Sequence, residues 1–276
     1  MMSILKFFQA VILGIVEGIT EWLPISSTGH MILVNEFMGI DKGDFFDSQI
    51  FLYVIQLGAI LAIATLYFNK LNPFAPSKSA QEKANTWHMW FKVIVACVPA
   101  AILGLLFNDA MDSISTPVVV SIMLIVYGIA FIVVKNKNSE TAITDMKDMT
   151  YKTALIIGLF QVLSIIPGTS RSGSTIIGAT LIGCSRSLAA EFSFFLAIPV
   201  MFGVSFLKIV ANDYVMTNNE WILLIVAMVV AYVVSLLAVK FLMNYVKRHD
   251  FKLFGWYRVA LGIAVLAYFY LPVLVK

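Results

Sequence analysis

Residues 21–30 read Glu21-Trp-Leu-Pro-Ile-Ser-Ser-Thr-Gly-His30, and residues 167–175 read Pro167-Gly-Thr-Ser-Arg-Ser-Gly-Ser-Thr175. Each stretch is polar, carries Pro and Gly, and interrupts an otherwise apolar region, 4–38 in the first case and 153–183 in the second. A helix needs about 20 apolar residues to cross a bilayer, and each half of these regions is shorter than that. The natural solution is a helix–loop–helix hairpin that enters and leaves by the same face. Non-helical backbone at membrane depth survives only where it is buried in protein or lines a watery cavity, so both loops are candidates for a site.

Outside these regions, six stretches are long and apolar enough to span: 50–68, 90–107, 117–134, 188–208, 221–242 and 258–274. The 276 residues are 60% hydrophobic and only 13% charged, with a mean hydropathy of +0.90. A soluble domain is about 45–50% apolar and about 25% charged, so a soluble globular enzyme is excluded. The fold class expected is an all-α integral membrane protein: six transmembrane helices plus two re-entrant hairpins, in one membrane domain covering 1–276. A net charge of +3 is too small to argue for nucleic acid as a partner. Cys97 and Cys184 stand far apart in apolar surroundings and read as small buried hydrophobes, not as a disulfide or a metal site. Glu17 and Glu21 interrupt the first apolar run, and no small-residue cleavage pattern precedes them, so the start of the chain reads as mature protein.

Lys and Arg in the connections set the orientation. Loops 69–89 (Lys70, Lys78, Lys83), 135–152 (Lys135, Lys137, Lys147, Lys152), 184–187 (Arg186) and 243–257 (Lys247, Arg248, Lys252) are rich in them. Loop 39–49 has only Lys42, and 108–116 and 209–220 have none. The first group is therefore cytoplasmic, both termini lie outside, and the two hairpins enter from opposite faces. Each hairpin is followed by three spans, so the second unit (about 150–276) is upside down relative to the first (about 1–140). A shift of 144 positions pairs Gly14 with Gly158, Glu17 with Gln161, Thr20 with Ser164, Ser26 with Ser170 and Gly29 with Gly173. Inverted repeats with broken helices place their binding site near the midplane, where the breaks meet.

The residues at the breaks suit an anion. Helices restart near Ser27–Thr28 and Ser172–Thr175, and the free N–H groups and dipole of a helix start favour negative charge. Arg171 adds a fork of donors matched to phosphate oxygens. An Arg at membrane depth costs about 2.5–3.5 kcal/mol, which makes it a site residue by default. Glu17 and Glu21 share a helical face. They can share a proton, hold a divalent cation such as Mg²⁺ or Ca²⁺ through oxygen, or simply pair with Arg171. His30 lies one turn beyond Ser26 and Ser27, so its imidazole can sit near the Ser27 hydroxyl. Ser, His and Glu together allow a nucleophile, a proton shuttle and an orienting carboxylate. Gly14 and Gly18 have the spacing of close helix packing, and His88 and His249 carry no role.

Glu17-x-x-x-Glu21, Pro24-Ile-Ser-Ser-Thr-Gly-His30 and Pro167–Thr175 resemble the two signature motifs of the undecaprenyl-diphosphate phosphatases of the bacitracin-resistance type. The resemblance implies a bacterial cytoplasmic-membrane hydrolase with an outward-facing site and a divalent cation. Its polyprenyl diphosphate substrate becomes the monophosphate carrier of cell-wall synthesis. Family roles fall on Glu17, Glu21, Ser27 and His30, and on Ser170, Arg171, Ser172 and Thr175. Ser27 is expected to attack the terminal phosphorus with His30 moving the proton, water or His30 itself being the other candidate nucleophiles. Arg171 and the helix starts, with Ser26, Thr28, Ser170, Ser172, Gly173 and Thr175, hold the diphosphate. Glu17 and Glu21 hold the metal. Membrane lipids surround the chain, and a homodimer is admitted. The competing reading is a transporter or flippase of polyprenyl phosphates, which needs positive charge but little need for a nucleophile and base.

Overall fold

A computed structural model describes residues 3–134, 143–211 and 214–274, with side chains left out at 108–113 and 271–274. Among the described residues there are eleven α-helices and no strand. They are α1 (Ile4–Thr20), α2 (Ser27–Phe37), α3 (Gln49–Leu66), α4 (Phe68–Leu71), α5 (Ala80–Ser113), α6 (Pro117–Val133), α7 (Tyr151–Val162), α8 (Arg171–Ile182), α9 (Arg186–Val210), α10 (Asn218–Arg248) and α11 (Lys252–Leu274). α3, α5, α9, α10 and α11 are long and apolar enough to cross a membrane; α6 is apolar but has 17 residues. α5 begins ten residues before the expected 90, because Ser79 and Glu82 cap it, the Glu82 carboxylate accepting from Ser79 N–H at 2.7 Å. Lys135 and Lys137 lie outside the described residues.

Sequence signals set the helix ends. Ser48, Thr116, Thr150, Ser185 and Thr217 each accept an N–H from the first turn that follows, and Thr217 with Glu220 completes a reciprocal capping box. α10 ends in Lys247 and Arg248, which complement its negative end.

Long helices hold the two short broken segments. α1 packs along α10, and α7 packs along α5. In each case a glycine permits the approach. A Cβ on Gly14 would meet the Ala227 carbonyl oxygen at 2.6 Å, and one on Gly158 would collide with the backbone of Ala96. Gly18 lies equally close to Ala231 on the same face as Gly14, as their spacing implied. α2 packs on α6 and α11, and α8 packs on α6 and α9. Trp22, fully buried at the first break, meets Phe194 of α9 edge-on at 5.4 Å. The breaks are thus enclosed by protein on several sides.

These approaches are testable. Gly14→Val and Gly158→Val each overpack a helix contact, which costs about 1–3 kcal/mol. Both should lower the melting temperature in detergent measurably, whereas Gly203→Val, which meets nothing within 4 Å, should leave it nearly unchanged.

Candidate active site

Both breaks are built alike. α1 runs one residue past its last turn, with Glu21 N–H donating to Glu17 O at 3.0 Å, and the chain then turns through Leu23, Pro24 and Ile25 to restart at Ser27. α7 tightens into a 3₁₀ turn at Leu163–Ile165, passes Pro167 and Gly168, and restarts at Arg171. The residue before each restart is a serine, Ser26 and Ser170, and each has φ +73°. They are the only non-glycine residues with positive φ among the described residues. A left-handed serine costs of order 1–3 kcal/mol and persists where its surroundings impose it. The two helix starts differ in one respect. Ser170 Oγ accepts from Gly173 N–H at 3.2 Å, whereas Ser26 makes no capping bond, so the first N–H groups of α2 have no side-chain cap.

The breaks meet through charge. Arg171 Nη2 lies 3.1 Å from Glu21 Oε1, and both side chains are about nine-tenths buried. The other Glu21 oxygen, Oε2, accepts from Ser27 Oγ at 3.2 Å, and the Glu21 carbonyl accepts from Ser172 Oγ at 3.3 Å. Arg171 Nη1 donates to the Ser193 carbonyl on α9 at 2.9 Å, and its guanidinium sits 5.9 Å from the Trp22 ring centre. Glu21, Ser27 and Arg171 therefore share one cluster. Ser170 Oγ reaches Ser172 Oγ at 3.2 Å. Thr175 Oγ1 turns away from this cluster to Ser193 Oγ at 2.7 Å and the Arg171 carbonyl at 3.0 Å, holding α8 to α9. Thr28 lies on the exposed side of the first turn of α2.

His30 is placed otherwise than the sequence suggested. Its Nδ1 lies 2.7 Å from the Ser26 carbonyl and its Nε2 2.7 Å from the Tyr257 hydroxyl, with the two rings stacked 6° apart. A carbonyl only accepts, so Nδ1 carries the hydrogen and, in the neutral ring, Nε2 accepts from Tyr257. The Ser27 hydroxyl is bonded to Glu21 and not to His30. The imidazole is one turn away on α2, but the carboxylate is the base in contact.

Glu17, 2% exposed, keeps Oε1 without a partner on the helical face it shares with Glu21. An unmet buried carboxylate oxygen beside a second carboxylate fits a divalent cation, which typically takes one or two carboxylates plus substrate phosphate. Among the described residues no three His, Cys, Asp or Glu side chains gather as a ready-made ligand set. Cys97 and Cys184 are free thiols. His88 bonds Tyr151 and His249 stacks on Tyr245, both away from the breaks.

Buried polar atoms without a partner gather here. They are Glu17 Oε1, Trp22 Nε1, Ser26 Oγ, both amide atoms of Gln161, Thr169 Oγ1, Arg171 Nε and Arg258 Nε; among the described residues only Asn35 Oδ1 lies elsewhere. Buried polar groups normally find partners, so this concentration makes the meeting of the two breaks the candidate place for a polar ligand.

The comparisons agree with that chemistry. Residues 10–264 match the family model described as "Bacitracin resistance protein BacA". The chain belongs to the BacA family. It is 58% identical to the undecaprenyl-diphosphatase of Enterococcus faecalis over 95% of this chain and 97% of that protein. It is 55% identical to undecaprenyl-diphosphatase 1 of Clostridioides difficile over 98% of both, and 56% identical to the Streptococcus thermophilus enzyme over 96% and 94%. With its five long apolar helices, this BacA-family chain is a multi-pass bacterial membrane protein.

Sequence reasoning passed over Arg258. The stretch 258–274 reads as a span, and an Arg at the end of a span is ordinary, so Arg258 lacks the signal that singles out Arg171 at membrane depth. Tyr257 and Ser193 gave no signal, since a lone Tyr or Ser in an apolar helix has no pattern.

The Glu21–Arg171 pair is testable by a double-mutant cycle. Each alanine substitution strands a buried charge, at a cost of about 3–5 kcal/mol. The double substitution should cost less than the sum of the two, with a coupling of about 1–3 kcal/mol, read from thermal unfolding in detergent.

Proposed function

We propose that this protein is a membrane-embedded phosphatase that hydrolyses undecaprenyl diphosphate to undecaprenyl phosphate and inorganic phosphate, returning the lipid carrier to cell-wall synthesis. The observation that carries this reading is the cluster across the two breaks: a buried carboxylate, Glu21, holds a hydroxyl, Ser27, on one oxygen and a guanidinium, Arg171, on the other. A carrier needs the cation but not the hydroxyl–carboxylate couple. Relatives over 50% identical along nearly their whole length are named for the phosphatase activity, which favours it over a flippase.

The terminal phosphate enters between the helix starts. Arg171 keeps Nη1 on the Ser193 carbonyl and offers Nε, which has no protein partner. The uncapped N–H groups of α2, with Ser26, Ser170, Ser172 and Gly173, line the same volume, Thr28 stands at its exposed edge, and Thr175 holds α8 in place beneath it. Ser27 Oγ attacks the terminal phosphorus and its proton passes to Glu21. The bond from phosphorus to the bridging oxygen breaks, and undecaprenyl phosphate leaves with that electron pair. Water then attacks the phosphoserine and passes its proton to His30 Nε2 as the Tyr257 hydroxyl leaves that nitrogen, and His30 afterwards releases the proton to solvent. The phosphorus–serine bond breaks, the serine oxygen takes back the proton from Glu21, and inorganic phosphate departs. A divalent cation, Mg²⁺ or Ca²⁺, held by Glu17 with Glu21, would neutralise phosphate charge.

The membrane arrangement belongs to the same proposal. Six spans (α3, α5, α6, α9, α10, α11) carry two re-entrant hairpins (α1–α2 and α7–α8) in an inverted repeat of about 1–140 and 150–276. Matching φ angles at Ser26 and Ser170, and matching close contacts at Gly14 and Gly158, support it. The basic connections are cytoplasmic, both termini lie outside, and the site faces outward.

Three measurements check this reading. Purified protein in detergent should release phosphate from undecaprenyl diphosphate, and Arg171→Ala should lower kcat by about 10²–10³-fold, the usual loss for one transition-state donor. Chelator should suppress release, and Glu17→Gln should raise the divalent concentration needed to restore it. Rapid acid quench should trap phosphate on Ser27; a label on His30 reassigns the nucleophile, and binding without turnover returns the flippase.

A further inference from the structure

Arg258 is fully buried, with 0% exposure, near the start of α11. Its Nη1 donates to the Pro24 carbonyl at 3.2 Å. Its Nη2 reaches the carbonyls of Thr169 at 2.9 Å, Gly168 at 3.0 Å and Met123 at 3.4 Å. Pro24 belongs to the first break, Gly168 and Thr169 to the second, and Met123 to α6. The guanidinium also lies 5.6 Å from the ring centre of Tyr127, whose hydroxyl accepts from Ser174 Oγ on α8 at 3.2 Å. No carboxylate pairs with Arg258 among the described residues, in contrast to Arg171. Its charge is met by carbonyl dipoles and an aromatic face alone.

We propose that Arg258 is a positioning residue for the reaction: one guanidinium clamps the carbonyls of both broken segments and so fixes Glu21 and Ser27 opposite Arg171. The proposal deepens the phosphatase reading and rests on it for the kinetic arm of its test.

The physical reason is the state of the backbone at a break. Carbonyls that leave helical pairing in a water-poor interior must find donors. One on each of two separate turns could be met by two separate groups, and the turns would then be free to move relative to each other. Arg258 meets both with one rigid planar fork, so their separation is set by the width of a guanidinium. Pro24 is three residues from Glu21 and from Ser27, and Thr169 is two from Arg171, which puts the clamp close behind the reacting groups. A Cβ on Gly173 would lie 3.3 Å from Arg258 Nη1, so the first turn of α8 also fits closely around the clamp. The residue before it, Tyr257, holds His30 of α2. Two successive residues of α11 therefore hold the break and the helix that follows it. Displacing reacting groups by about 1 Å can cost on the order of 10²-fold in rate, and such a displacement would appear in kcat.

The test uses Arg258→Met and Arg258→Lys in the full chain, with phosphate release normalised to monodisperse folded protein. Arg258→Met should lower kcat at least 30-fold with KM changed less than threefold, and Arg258→Lys should recover less than half of the original rate, because an ammonium cannot span both turns as a fork does. A second readout needs no turnover: the distance distribution between spin labels at Phe37→Cys and Leu163→Cys, in a Cys97→Ser/Cys184→Ser background. It should be narrow with Arg258 and broader in Arg258→Met. Original kcat per folded molecule in Arg258→Met, a rate within twofold of the original in Arg258→Lys, or an unchanged distance distribution each overturns the clamp. Absence of phosphate release with Arg258 intact would overturn the phosphatase reading instead, and the label distances would still decide the clamp.

Discussion

Backbone carbonyls that have left a helix inside an apolar interior must be given donors, and at this site Arg258 supplies them. It meets those of Pro24, Gly168 and Thr169, while Arg171 donates to the Ser193 carbonyl within α9 and pairs with Glu21. Without these bonds each turn would carry unpaired polar groups costing several kcal/mol apiece in a bilayer. The broken helices can persist because a long fixed cation stands beside them. Arg258 spends its donors on backbone, whereas Arg171 keeps Nε without a protein partner.

The two turns share a backbone but differ in charge. Ser26 and Ser170 adopt one strained conformation, yet Glu17 and Glu21 precede the first restart while Arg171 opens the helix after the second. The result is an acid–base contrast across a short distance, joined by a 3.1 Å ion pair. A buried ion pair contributes little net stability once desolvation is counted, so stability alone does not account for it. Its place does: the pair stands between the Ser27 hydroxyl and a cluster of unmet polar atoms, where the proposed function needs it.

Much of this was legible from composition and punctuation. The breaks within 21–30 and 167–175 are marked by Pro, Gly and Ser inside apolar runs, because residues that cannot continue a helix stand out where nearly everything else can. Gly14 and Gly18 announced close approach through their spacing, whereas the contact at Gly158 shows only in the structure. Arg171 and the Glu pair stood out because charge is rare in such a chain. Arg258 was equally charged and was missed because it sits where a span was taken to begin, and a charge there is ordinary. The assignment of Ser27 to His30 followed from spacing along one helix, but spacing does not reveal that Ser26 O and Tyr257 already occupy both ring nitrogens.

Local chemistry, written in residue order, was enough to settle that the chain is helical, apolar and twice interrupted by turns carrying an acid pair, serines and an arginine. Those properties depend on neighbours within a few residues. Which groups touch was decided by packing between segments up to about 230 positions apart, as in Arg258 on the Pro24 carbonyl. Contacts of that kind arise from how α10, α5 and α11 cradle the short helices. Helical periodicity carries no record of a partner on another helix, so the pairing of Glu21 with Arg171, the capture of His30 by Tyr257 and the clamp at Arg258 exist only once the bundle has closed.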